Sequence, residues 1–435
     1  MGYFSCKTIC DSPTCAAIVE RSSAVRGTFV APWLGLLAGS IAFGACLVGA
    51  LVAPRRSLFI AVAGMSGGVV LVIRMFSAIA RSTNAEAIGL AIFFVAAGVA
   101  GGYWSAAAAL PHAIPRQRHL ESATSAIHPD RPAVAILSCA EAPRYRIAST
   151  ARVIERLVTS GALRLPASTL PFVFLSEKTR YHALGGYNPA RATTSAVAEE
   201  ATRELDGLIS NVAIAWCDGS PSLAEVIDEL GQMGHRDAVL VTVGPDDSFR
   251  SLEPLHEAQR AADSVGIRLV RAPSIWRSDV LASRLVDRII ELTNSATLDD
   301  VGVVLVGEGE PPAWSEAEGG WLEHENYFNQ RVRLMLVERG IRESNIRIGW
   351  LEWETPDVTE TTRHLAALGC RRIIIAPATL PHITLASALD LKHAVDSARL
   401  GDDVRVVTMT PWGDDRAMVR ATADAIRASL QLLEP

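Results

Sequence analysis

An α/β protein of two similar lobes, each a doubly wound parallel (Rossmann-like) sheet, preceded by three transmembrane helices, is the fold this sequence predicts. Three observations predict it. The first 110 residues hold three long apolar runs almost free of charge. From Ala133 onward, short β-branched runs alternate with helical periodicity, the pattern of a parallel sheet covered on both faces. That alternating part also repeats itself, which predicts two like lobes with a cleft between them.

A length of 435 residues is enough for two or three domains of roughly 150 residues each. The formal net charge of −6 at pH 7 shows no basic excess, so nucleic acid is not an expected partner. Seven cysteines, Cys6, Cys10, Cys15, Cys46, Cys139, Cys217 and Cys370, share no repeated spacing. An odd, irregular set does not make a disulfide framework and predicts a reducing compartment for the soluble part. Cys6, Cys10 and Cys15 lack a fourth ligand at a familiar metal spacing and read as part of a disordered tail, with metal ligation or lipid attachment as the alternative.

In chain order, residues 1–28 read as an N-terminal tail and residues 29–110 as a membrane module. No charged residue lies between Arg26 and Arg55, and Phe29–Ala53 is almost wholly apolar; Leu58–Ile73 and Ala87–Leu110 follow. A span needs about 20 apolar residues. The first and third runs meet that length, and the second ends near Arg74, close enough to snorkel. Gly35, Gly39, Gly44, Gly49, Gly64, Gly67, Gly68, Gly98, Gly101 and Gly102 predict close helix packing. No acidic or histidine side chain lies in a span, which argues against an ion path or a transporter.

Residues 111–132, rich in Pro, Ser, Ala and His, read as a linker. Lobe 1 then covers 133–296 and lobe 2 covers 297–435. Pro221 and Pro356 open matching helix patterns, Leu230 and Leu365 continue them, and Gly234 and Gly369 close them; each pair is 135 residues apart. Strand runs follow at Ala238–Val243 and Ile373–Ala376, and again at Ile267–Val270 and Val404–Val407. Upstream, Val134–Leu137 matches Val303–Val306.

Ligands of such sheets bind just past the carboxyl ends of the strands. The run Val301–Val306 stops in Gly307-Glu-Gly-Glu-Pro311, and Arg371–Pro377 leads to His382, so Glu308 and His382 stand where chemistry would be done. Asp390 reads as a capping or pairing residue. Glu310, Glu316, Glu318, Glu323, His324 and Glu325 read as a solvated acidic face, with a metal-collecting lip as the alternative.

At this point the sequence resembles the ferrochelatase family, whose members insert iron into a porphyrin between two such lobes. The likeness runs from about Ala133 to Ala428. Tyr181-His-Ala-Leu-Gly-Gly-Tyr-Asn-Pro189 is similar to the family's Tyr-x-x-Ile-Gly-Gly-Gly-Ser-Pro loop, and Val243-Gly-Pro-Asp-Asp-Ser248 to its Leu-Tyr-Pro-Gln-Tyr-Ser strand end. Trp353-Glu-Thr-Pro356 resembles its Trp-Leu-x-Pro, and His382-Ile-Thr-Leu-Ala-Ser-Ala-Leu-Asp-Leu391 its His-Ile-Glu-Thr-Leu-x-Glu-Ile-Asp-Ile. The resemblance implies that Tyr181, Gly185, Gly186, Pro189, Ser248 and Trp353 line a porphyrin pocket. It also assigns Glu308 and His382 as catalytic groups and metal ligands. Trp314, Trp321, Tyr327, Trp350 and Trp353 read either as core packing or as an apolar wall for the flat macrocycle.

Several departures bear on mechanism. The family's Ser-Ala-His-Gly reads Val306-Gly-Glu-Gly309 here, so Glu308 takes the place of the metal-binding, proton-accepting histidine. Two family glutamates become Thr384 and Ala388. The Asn-Leu-Gly-Gly-Pro opening becomes Cys139-Ala-Glu-Ala-Pro143, and an Arg-Tyr pair becomes Cys217-Asp218. Metal insertion must remove two pyrrole protons, so a base has to sit beside the ring. A carboxylate serves if loss of water raises its pKa.

The first reading is therefore a membrane-anchored chelatase that takes porphyrin and divalent iron as substrates. The alternative is a non-catalytic tetrapyrrole-binding or scaffolding protein beside a haem-pathway or respiratory membrane complex. Expected partners are membrane lipid, a tetrapyrrole and further copies of the chain. Arg55, Arg56, Arg116 and Arg118 balance Lys7, Arg21, Arg26 and Arg81 across the membrane. The unpaired cysteines and the family resemblance therefore place the soluble part in the cytoplasm, on the cell membrane.

Overall fold

The computed structural model describes residues 13–82, 85–110, 130–243, 249–293, 297–317 and 321–433. It divides into two compact units: the N-terminal helices with Leu165–Lys178, and the α/β remainder.

In the first unit, helices run over Pro13–Val52, Arg55–Ser82 and Ala85–Ala109. Within them Ala31–Val52, Ser57–Arg81 and Glu86–Ala109 are long and apolar enough to cross a membrane. The first helix begins inside the stretch read as a tail, and the second continues through Arg74 to Ser82. Met75-Phe-Ser-Ala-Ile-Ala80 resumes the apolar pattern, and nothing there breaks a helix. Glycine lets the first and third helices touch backbone to backbone. A Cβ at Gly44 would lie 2.1 Å from Val99 O, and one at Gly102 2.0 Å from Ile41 O. Phe59, Ile60, Ile73 and Phe93 remain exposed, a cost in water that lipid removes. Tyr103 donates its hydroxyl to Ser168 O at 2.8 Å, joining the segment Leu165–Lys178 to this unit.

The second unit holds two four-stranded sheets of identical topology. The strands are β1 (Ala133–Ser138), β2 (Val212–Trp216), β3 (Asp237–Val243) and β4 (Arg268–Arg271), then β5 (Val301–Gly307), β6 (Ile346–Trp350), β7 (Arg372–Pro377) and β8 (Arg405–Thr408). Their orders are β2-β1-β3-β4 and β6-β5-β7-β8, and every pairing is parallel. Strands buried on both faces must be apolar throughout, as Val303-Val-Leu-Val306 is. Full burial of each such side chain contributes about 1.5–3 kcal/mol.

The sequence repeat sets helix starts and stops. Ser222 caps the helix Leu223–Gln232 by accepting from Glu225 N, and Asp357 caps Val358–Ala367 by accepting from Glu360 N. Gly234 and Gly369 end these helices at φ 89° and 93°, a left-handed conformation that favours glycine.

Each sheet has its own outer core, beneath Leu223–Gln232 in lobe 1 and beneath Val358–Ala367 in lobe 2. The inner faces share one core: Val134 and Ile136 of lobe 1 belong to the same cluster as Val303 and Leu305 of lobe 2. The last helix, Arg416–Leu430, packs against Ala190–Glu204 and β3, so the end of the chain closes lobe 1.

One expectation is corrected here. Cys139 and Cys217 form a disulfide, with Cα atoms 4.8 Å apart. Their 78-residue separation hides the fact that β1 and β2 are neighbours. The free-thiol argument for a reducing compartment does not hold for this pair. Cys46 and Cys370 are free; Cys6 and Cys10 lie outside the described residues, as does the side chain of Cys15.

Candidate functional site

The carboxyl end of β5, the inner strand of lobe 2, is stitched to both neighbours. Leu351 N donates to Gly307 O and Glu352 N to Glu308 O, each at 3.0 Å, while Ala378 N donates to Val306 O at 3.0 Å. Gly309 makes this possible. Its φ is +85°, and a Cβ there would lie 1.8 Å from Glu352 O. Glu308 sits half-buried in the turn.

Glu325 reaches over this turn from the helix Trp321–Glu338. A Cβ on Gly307 would meet its Oε1 at 2.5 Å, and the Thr379 hydroxyl donates to that same oxygen. Burial pushes the Glu325 carboxyl well above the usual range. The Glu308 charge adds to this, the Glu308 backbone N–H opposes it, and Glu310 adds a little more. Glu310 and Glu325 are 3% and 2% exposed, so neither belongs to a solvated face. Helical periodicity explains Glu325, which shares its inward face with Phe328, Asn329 and Val332. The side chains of Glu316, Glu318, Glu323 and His324 lie outside the described residues.

The row of carboxylates continues outward. Glu352 keeps an exposed edge, yet loss of water around its carboxyl raises its pKa, helped by the charges of Glu308 and Asp390 and opposed by Arg180. Asp390 pairs with Arg180, and burial outweighs that pairing to raise its pKa also. Asp390 ends a single π turn, Ala386–Asp390.

His382 is 2% exposed and points into lobe 1. Its Nε2 lies 3.3 Å from Ser138 Oγ and 3.2 Å from Thr194 Oγ1, and its Nδ1 lies 3.3 Å from Thr193 Oγ1. Burial lowers its pKa to about 4, so the ring is neutral at pH 7, with one nitrogen donating and the other accepting. Next to it the Glu141 carboxylate accepts from Asn188 Nδ2 at 2.5 Å and from Leu385 N at 2.8 Å. Thr384, one of the residues replacing a family glutamate, exchanges backbone-to-hydroxyl bonds with Ser387 and so shapes the loop.

Of the other residues singled out, Tyr181 is buried and donates to Ala142 O at 2.8 Å. Gly185 and Gly186 are exposed at φ +81° and +82°, with nothing within 4 Å of a built Cβ. Pro189 is half-buried at the start of Ala190–Glu204. Ser248 lies outside the described residues. Trp353 is 43% exposed and held at φ 66°, an unusual conformation for a bulky residue.

Among the described residues the aromatic side chains do not make one wall, and the side chain of Trp321 lies outside them. Trp350 is buried under Gly307, Trp314 donates to Ser160 Oγ at 2.6 Å, and Tyr327 is exposed. Arg180–Asp390 and Asn188–Glu141–Leu385 join the segments around 180–190 and 382–390, and Glu352, bonded to Glu308, feels the charges of Asp390 and Arg180. No motif spacing marks Glu352, and nothing in the sequence shows that Glu325 and Glu141 turn inward. Among the described residues, no three His, Cys, Asp or Glu side chains converge as a ready-made metal cage.

The family model described as Ferrochelatase matches residues 145–380, just over half of the chain. A ferrochelatase of Thermosynechococcus vestitus is 22% identical over 272 residues, covering 58% of this chain and 68% of that protein. One from Nostoc punctiforme is 21% identical over 255 residues, covering 53% and 65%. Among solved structures, SirB from Bacillus subtilis with Fe3+ aligns at a TM-score of 0.46 and 11% identity, over 69% of this chain and 96% of SirB.

Proposed function

Because this chain belongs to the ferrochelatase family, we propose that it is a membrane-anchored tetrapyrrole-handling protein that inserts a divalent metal, iron in the first instance, into a porphyrin. Glu308 is the base in place of the family's histidine and makes the transient contact to the incoming metal. One observation carries this reading: Glu308 occupies the carboxyl end of β5 in a turn fixed by Gly309, next to carboxyls whose pKa values are raised.

A carboxylate at ordinary pKa is a poor acceptor for pyrrole protons, and like charges beside it make it a better one. Glu352 and then Asp390 lead from Glu308 toward solvent and supply the acidic relay that Thr384 and Ala388 no longer give. Gly185, Gly186, Pro189, Ser248 and Trp353 border the ring, with Tyr181 buttressing their loop from beneath. His382 acts by holding the seam between the lobes. Lipid surrounds the three apolar helices, and the open positions at Gly67 and Gly101 suit association with further copies or with a haem-pathway or respiratory membrane complex.

The second reading, a porphyrin-binding protein without turnover, is favoured by two observations. Both His382 nitrogens are engaged by hydroxyls, and no three-donor metal group occurs among the described residues. Titrating the full-length protein in nanodiscs with protoporphyrin and coproporphyrin, then adding ferrous iron anaerobically, separates the two. Binding followed by metalloporphyrin formation supports the enzyme. Binding alone supports the second reading, and no binding sinks both.

A further inference from the structure

Cys139 and Cys217 stand immediately beyond the carboxyl ends of β1 and β2, and no step of the proposed reaction uses them. The two strands are in register up to Ser138 and Trp216, and Cys217 N donates to Ser138 O at 3.0 Å. Strand pairing thus holds the two Cα atoms 4.8 Å apart, within the usual range for a disulfide, and the sulfurs are bonded. Both cysteines fall where the resembling motifs carry other residues. Two departures at touching positions, both to the side chain that forms such a bond, constitute a matched pair.

Two of the residues that hold the seam between the lobes, Ser138 and Glu141, lie within two positions of this bond. Ser138, adjacent to Cys139, contacts His382 Nε2 at 3.3 Å and accepts from Ala140 N at 3.3 Å. Glu141, two residues on, accepts from Leu385 N at 2.8 Å. Arg156 grips the other half of the pair: it donates to Cys217 O at 3.0 Å and pairs with Asp218 at 2.9 Å.

We propose that Cys139–Cys217 is a thiol–disulfide exchange site that reacts with a dithiol, and that its redox state sets how firmly lobe 1 holds the His382–Leu385 segment. Cys139 is half-buried and Cys217 is 7% exposed, so Cys139 Sγ is the sulfur open to attack. A thiolate of the dithiol bonds to Cys139 Sγ, and the Cys139–Cys217 bond breaks. Cys217 leaves as a thiolate. The second thiol of the partner then attacks the mixed disulfide and releases the Cys139 thiolate. The dithiol becomes a disulfide, and the protein gains two electrons and two protons. The oxidised partner runs the same steps in reverse. None of this depends on porphyrin or metal.

The test uses the full-length protein, extracted from membranes under acid quench and alkylated with a maleimide before and after dithiothreitol. Peptide mass mapping reads Cys139 and Cys217 separately from the other cysteines. The expected result is labelling of both only after reductant, with tryptophan fluorescence still native. Hydrogen exchange of the amides of 138–141 and 382–387 should then rise at least about 10-fold in the reduced form. The C139S/C217S double variant should match reduced wild type under either condition. Labelling without reductant that persists after treatment with an oxidised dithiol would overturn the proposal. So would a bond that yields only when the protein unfolds, or exchange at 382–387 that ignores redox state; both of these are read on wild type, whatever the double variant does.

Discussion

Acidification should weaken the α/β body through His382, and the size of the effect follows from its surroundings. The ring is neutral and buried, with a pKa lowered from 6.5 to about 4. Above pH 6.5 it is uncharged in both folded and unfolded chains, and its contribution is complete. Between 6.5 and 4 the unfolded chain takes up a proton that the native state refuses, so stability falls as pH falls. Below 4 both states are protonated and the loss is complete. A shift of this size is worth about 3 kcal/mol at 1.36 kcal/mol per unit. Other groups titrate in the same window, and Glu325 acts with the opposite sign, so the informative quantity is a difference. H382N keeps a donor and an acceptor but cannot titrate. Urea unfolding of both full-length proteins in one detergent, followed by tryptophan fluorescence, gives the penalty of H382N at each pH. That penalty should shrink by about 2–3 kcal/mol between pH 7.5 and pH 4.5. An equal penalty at both values would refute the claim that the ring is held neutral at the seam.

Three other perturbations have defined outcomes. G309A forces a side chain into a φ of +85° and against Glu352 O; it should cost about 2–4 kcal/mol in urea unfolding and disturb the Glu308 turn. E325Q should leave stability nearly unchanged at pH 5 and raise it relative to wild type at pH 9. The native carboxyl retains its proton above its unfolded pKa, so wild type loses stability as pH rises and the amide does not. G102V places a side chain where Ile41 O lies 2.0 Å from the Cβ position. Thermal unfolding in detergent should show a marked loss of helix stability, with A97V, at an exposed position on the same helix, as the size control.

The architecture was legible because it rests on local chemistry that occurs twice. Ser222 with Glu225 and Asp357 with Glu360 start equivalent helices, Gly234 and Gly369 stop them, and apolar runs such as Val303–Val306 admit little but a doubly covered strand. The position of Glu308 just past a strand end was legible for the same reason, since the run Val301–Val306 stops in Gly-x-Gly. What stayed hidden depended on partners distant in sequence. Nothing near Cys139 announces Cys217, because their contact is a property of β1 lying beside β2. Glu325 reads as one more acid in a charged run until its helix face is known. His382 reads as reactive until Ser138, Thr193 and Thr194 are found around its ring. The glutamates lost at 384 and 388 looked like the loss of a relay. Glu352 comes from another segment to stand beside Glu308, which only the stitched ends of β5 and β6 reveal, and Asp390 in turn lies near Glu352.

The account turns on Glu308, and the most direct measurement is the rate of metalloporphyrin formation by wild type and E308A in nanodiscs with ferrous iron under anaerobic conditions. The prediction is turnover by wild type and a loss of about 100-fold or more in E308A, with porphyrin affinity unchanged, the range expected for removal of a general base. Equal rates for the two proteins would contradict it.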